Sequence, residues 1–89
     1  MAEDKAVSVK VLGAGCANCE RVEALVREAA AERQIDTIIE HVRDYQSILS
    51  YGVMATPGLV VEGKVRSAGR VPGKAEIATW LAKAAEAKA

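Results

Sequence analysis

Phenylalanine is absent from this chain, and aromatic residues of all kinds supply only 3% of its 89 positions. A surface that stacks bases or sugars on aromatic rings is therefore a poor expectation. Charge of one sign is missing too: 12 basic residues balance 12 acidic ones. That balance argues against a nucleic-acid or polybasic membrane partner, which net positive charge would attract. No apolar run approaches the roughly 18 residues of a membrane-crossing helix. The first residues, "MAEDKAVSVK", lack the basic-then-apolar layout of a secretory leader, so a cytoplasmic protein is expected. Cysteine is scarce, with two, and in the cytoplasm a closely spaced pair is more often catalytic or metal-binding than structural.

What is present is enough for one compact domain over residues 1–89, with residues 1–6 frayed. Hydrophobic residues reach 51%, and without phenylalanine the core must be built from Val, Ile, Leu and Ala. "VSVKVLG" (7–13) alternates and is β-branched, which predicts a strand ended by Gly13 and Gly15 in a tight loop. From Cys16 the period changes. Cys19, Val22, Val26 and Ala29 recur at helical steps to about Arg33, with Glu20, Arg21, Glu23 and Arg27 opposite. "IDTIIEHV" (35–42) is a second strand, and the βαβ unit so formed sets both strands parallel. Asp44 and Gly52 bracket a short helix. "GLVV" and "VRSA" flank "EGK", a hairpin turning at Gly63. "PGKAEIATWLAKAAEAKA" closes the chain as a helix, with Ile77, Leu81 and Ala84 inward and Trp80 packing at the edge. The predicted order is β-α-β-α-β-β-α.

The cysteines carry the chemistry. Cys19 falls in line with Val22 and Val26, on the inward face; Cys16 precedes the first turn and is expected to be more exposed. A thiol at a helix N-terminus meets unpaired N–H groups and the positive end of the helix dipole. Such thiols have their pKa lowered from about 8.5 into roughly the 3.5–7.5 range. Cys16 can then attack a partner disulfide, and Cys19, one turn away, can resolve the mixed disulfide. Two buried, inert thiols are the plain alternative. The context of strand, glycines and helix start favours a redox couple.

Taken together, "GAGCANC", "YGVMATPGLVVEGKVRSAG" and the closing helix resemble the thioredoxin superfamily. Within it they resemble the small bacterial and archaeal thioredoxin-like proteins called redox-active disulfide protein 2. The likeness runs from Val7 to about Ala84. It implies an α/β thioredoxin fold: a four-stranded mixed sheet, order 2-1-3-4, flanked by three helices. It implies a protein disulfide oxidoreductase, thioredoxin- or glutaredoxin-like, with Cys16 as nucleophile and Cys19 as resolving thiol. No cofactor beyond the Cys16–Cys19 disulfide is implied. Pro57 matches the superfamily's cis proline beside the C-x-x-C, and the Thr56 backbone would pair with an extended substrate. Gly15 and Ala17, beside Cys16, complete the substrate-binding set. The expected partners are protein disulfides and an upstream thiol reductase, and the expected state is a monomer. The chain departs from thioredoxin in several ways. It lacks the extra N-terminal strand and helix. Gly13-Ala14-Gly15 stands where a Trp would precede the motif, and Ala17-Asn18 replaces Gly-Pro. Its first strand has no carboxylate; Lys10, read as a solvated residue near an edge, is the charged residue there. No basic residue beside the cysteines is placed to hold glutathione carboxylates.

Two readings from other classes stand beside this one. "GAGCANCERVEALV" also resembles the copper(I) loop of heavy-metal-associated domains, whose soft thiolates hold the ion. Those domains run β-α-β-β-α-β and usually carry Met where this chain has Ala14. Four-coordinate zinc would need more ligands than His41 offers, and His41 is expected to be solvated at a strand end. A non-catalytic adaptor built on the same fold is the third reading. Met54 is expected either to line the groove near Pro57 or to fill the core.

Overall fold

The fold was described from a computed structural model covering residues 6–14 and 17–88. Cys16 and Gly15, the candidate nucleophile and one candidate groove residue, lie outside the described residues. The elements run β1 (Val7–Leu12), α1 (Ala17–Arg33), β2 (Thr37–Val42), α2 (Tyr45–Ser50), β3 (Gly58–Val61), β4 (Lys64–Ala68) and α3 (Lys74–Lys88). The sheet order is β2-β1-β3-β4, with β1 parallel to β2 and the other neighbours antiparallel. This is the thioredoxin fold expected, in a mixed sheet, and it closes on a helix rather than on the strand that ends heavy-metal-associated domains.

The two faces of the sheet are unequal. Val7, Val9, Val11, Leu59 and Val61 meet Cys19, Val22, Val26, Ala29, Ile77 and Leu81 in the larger core, beneath α1 and α3. Leu12, Val42, Ile48, Val53 and Val60 form a smaller core under α2. β3 is buried at all four positions because both its faces are covered, which explains the unbroken apolar "GLVV". The six residues of α2 leave Ile38 (57% exposed) and Val65 (40%) uncovered on the edge strands. Trp80 packs against the larger core.

Local chemistry sets the element ends. α1 ends with Gln34 at φ 55°, while Gln34 and Ile35 donate to the carbonyls of Ala31 and Ala30. This is a Schellman-type cap, and it satisfies carbonyls the helix would otherwise orphan. Because Ile35 is spent on the cap, β2 begins at Thr37 and not at Ile35. Asp44 caps α2, its carboxylate accepting the Ser47 N–H at 2.9 Å. α3 starts at Lys74, two residues later than the sequence suggested. The Gly73 carbonyl accepts the Ile77 N–H, the first bond of the helix, and the Glu76 carboxylate reaches back to accept the Gly73 N–H at 3.0 Å, one half of a capping box.

Lys10 departs from expectation. It is on the central strand β1, not near an edge, and is half-buried. Its Nζ donates to Tyr51 Oη at 3.0 Å, and this bond, with Glu40 adding attraction, raises its pKa above the ordinary lysine value. His41 is likewise not solvated. Its side chain is 15% exposed, Nδ1 lies 3.4 Å from Glu23 Oε1, and Nε2 is buried with no hydrogen-bond partner among the described residues. The cause is register: His41 stands beside Val11, on the face that α1 covers.

Candidate functional site

Three chain-distant segments converge where β1 ends. The first is the start of α1. Cys19 is its third residue and is fully buried, on the stripe with Val22 and Val26. The period of the apolar residues had placed it there. Ala17, the first residue of the helix, is exposed. Cys16 immediately precedes Ala17 in the sequence.

The second segment is Gly13, just past β1. Its N–H donates to the Val42 carbonyl at 2.9 Å, which fixes the strand end against β2. A Cβ added there would overlap Cys19 Sγ and lie 3.6 Å from Thr56 Cβ. Only a residue without a side chain lets the β1 backbone approach the thiol this closely. Sequence reasoning took Gly13 as a turn residue and missed this contact. A glycine ending a strand just before a cysteine pair was the available signal.

The third segment is the loop into β3. The Thr56–Pro57 peptide bond is cis. Pro57 is buried and its carbonyl accepts the Gly69 N–H at 2.9 Å, extending the β3–β4 pairing by one step. Thr56 is exposed, and among the described residues nothing hydrogen-bonds its backbone. Its N–H and C=O are thus available to an extended chain laid beside them. Met54 is 91% exposed, so it does not fill the core.

The structure therefore brings Cys19, Thr56 and Pro57 to one end of the sheet, around Gly13, with Ala17 at the neighbouring helix start. One turn along α1 from Cys19, Glu23 takes Arg27 at 2.9 Å and faces His41. Among the described residues no group of three or more His, Cys, Asp and Glu side chains could hold a metal ion. No helix of the described residues is long and apolar enough to cross a membrane.

A buried thiol in the first turn of a helix, held under a glycine and beside an X–Pro loop, on this strand order, defines a class of small redox proteins. The chain belongs to the thioredoxin family: the family model described as a thioredoxin domain matches residues 7–82. It is 41% identical over 71 residues to a thioredoxin of Methanothermobacter thermautotrophicus, covering 80% of this chain and 92% of that one. It is also 30% identical over 82 residues to a thioredoxin of Methanocaldococcus jannaschii, covering 92% and 94%. At family level this is a thioredoxin-like redox protein, of the disulfide oxidoreductase kind.

Proposed function

We propose that the protein exchanges a Cys16–Cys19 dithiol for disulfides of partner proteins. The Cys16 thiolate attacks one sulfur of the partner disulfide, and the other partner sulfur leaves as a thiolate. The Cys19 thiolate then attacks Cys16 Sγ, and the second partner sulfur leaves. Two electrons pass to the partner, and the Cys16–Cys19 disulfide that remains is re-reduced by an upstream dithiol. No cofactor enters the cycle.

The observation that carries this reading is the burial of Cys19 beneath Gly13 and beside the Thr56–Pro57 loop. A resolving thiol needs only an intramolecular partner, so burial suits it; the attacking thiol needs access. The free Thr56 backbone supports a role in holding the substrate strand, with Pro57, Gly15 and Ala17 shaping the groove around it. Names borne by the relatives support the same activity here. A cytoplasmic monomer, reduced by an upstream thiol reductase, is the setting that fits.

Cys16→Ser and Cys19→Ser variants test it against insulin and a small aromatic disulfide. Cys16→Ser is expected to abolish turnover. Cys19→Ser is expected to stall as a mixed disulfide visible by mass under non-reducing conditions. Full activity in Cys16→Ser would overturn the assignment. Thiol protection that appears only with copper(I) would favour the metal-binding reading.

A further inference from the structure

At the other end of β3 a groove opens between strand β4 and the last turns of α3. Its volume is about 450 Å³, within the range of ligand-holding clefts. Its floor is apolar, formed by Val61, Ala84 and Ala87, and its walls carry Lys64 and Arg66 from β4 with Lys83 and Lys88 from α3. Among the described residues the only carboxylate in the lining is Glu62, and it is already engaged. It accepts the Ser8 N–H at 2.6 Å and faces Lys88 Nζ at 3.3 Å. Lys64, Arg66 and Lys83 have no carboxylate within ion-pair reach among the described residues. By contrast Arg70 and Lys74 each hold a glutamate.

Basic residues on an edge strand can serve simply to discourage strand pairing, and that accounts for Lys64 and Arg66. It does not account for Lys83, which approaches the same concavity from the opposite wall. In a chain of zero net charge, such convergence leaves a local positive field over an apolar floor. We propose that this groove docks an acidic segment of a partner protein, its carboxylates meeting Lys64, Arg66 and Lys83 and its small apolar side chains resting on Ala84 and Ala87. Charge complementarity selects the occupant. No aromatic side chain lines the groove to stack a base, which disfavours a nucleic acid. The site lies three residues along β3 from Gly58, roughly 10 Å at strand spacing. A partner anchored here can therefore reach the cysteine end without covering it, and the binding does not depend on the redox reading.

The test is a titration of the isotope-labelled full chain with a short capped peptide alternating glutamate and valine, followed by amide chemical shifts. Shifts are expected to concentrate at residues 61–66 and 83–88 and to shrink as salt is raised. The double variant Lys64→Glu with Arg66→Glu should bind at least roughly tenfold more weakly, about 1.4 kcal/mol. Lys83→Glu, on the other wall, provides the same test should the β4 variant fold poorly. Equal binding of a lysine–valine peptide, shifts scattered over the whole surface, or full displacement by tripolyphosphate at matched ionic strength would overturn the proposal. The last would make the groove a small-anion site.

Discussion

The two ends of β3 meet opposite demands. At the Gly58 end, side chains are removed: Gly13 has none, so the β1 backbone lies against Cys19 Sγ, and Gly58 has none, so Leu12 lies against its backbone. At the Val61 end, side chains are added to the backbone's own bonding. Glu62 turns the hairpin with a positive φ of 50°, its N–H donates to the Ser8 carbonyl, and its carboxylate accepts the Ser8 N–H in return. The first end is shaped by steric room around the Cys19 thiol, the second by hydrogen bonds and charge. Close walls hold a side chain in one place, whereas a strand connection gains from fixed polar contacts.

The comparison breaks most visibly at Gly13. Gly13→Ala puts a methyl where Cys19 Sγ stands, so the helix start or the strand end must move. Overpacking of this kind costs about 1–3 kcal/mol. The displaced thiol should also lower disulfide turnover by roughly 10- to 100-fold, since misplacement by about 1 Å has that effect. Thermal unfolding and insulin reduction measure the two losses. A variant as stable and active as the parent would show that the close approach constrains nothing.

Glu62→Gln makes the matching change at the other end. The amide keeps the size and loses the charge that strengthens the bond to the Ser8 N–H. Hydrogen bonds to charged groups are worth about 1.5–3 kcal/mol and neutral ones about 0.5–1.5, so a loss near 1 kcal/mol is expected. Turnover of a small disulfide should not change. A fall in turnover as large as that of Gly13→Ala would mean that the two ends are not separable.

Acid probes the polar contacts of the hairpin and of the α3 cap, because folding lowers the pKa of a carboxyl in each. The Ser8 N–H holds the Glu62 carboxyl below its ordinary value of 4.5, with Lys88 assisting. Arg70 first, then the Gly73 N–H, lowers Glu76 to about 2. In both, folding favours the ionised form. Their contribution to stability is complete above about pH 4.5, the unfolded value, and drains away as pH falls through the folded value. The urea midpoint should therefore drop between about pH 4.5 and 2, and Glu76→Gln should flatten that drop. An identical acid limb in Glu76→Gln would remove the cap pair from the account.

Most of this arrangement was legible in the sequence where a local period encodes it. The burial of Cys19 followed from its spacing with Val22 and Val26, the hairpin from Gly63, the α2 cap from Asp44, and the strand order from the resemblance carried by "TPGLVV" and "EGK". The remainder depends on chain-distant contacts that leave no local period. Ser8 and Glu62 are 54 residues apart. His41 looked solvated because it ends a polar-looking strand, but pairing with Val11 turns it under α1. Lys10 looked like an edge residue because one charge in an apolar strand usually is; its partner Tyr51 is 41 residues away. Gly13 resembled any turn glycine until Cys19 Sγ stood beside it.

The smallest effect is expected between the two ends, at Ser67. It faces Leu59 across the β3–β4 pair, is buried at 7% exposure, and its Oγ has no hydrogen-bond partner among the described residues. A buried hydroxyl without a partner costs free energy, and alanine removes it while leaving little space behind. Ser67→Ala should therefore be neutral or stabilising by up to about 1 kcal/mol, read as an unchanged or slightly higher Tm. A loss of more than about 1 kcal/mol would mean that the hydroxyl has a partner in solution, such as a bound water. The middle of the sheet would then share the polar bonding of the hairpin end, and the division between the two ends would have to be drawn nearer to Gly58.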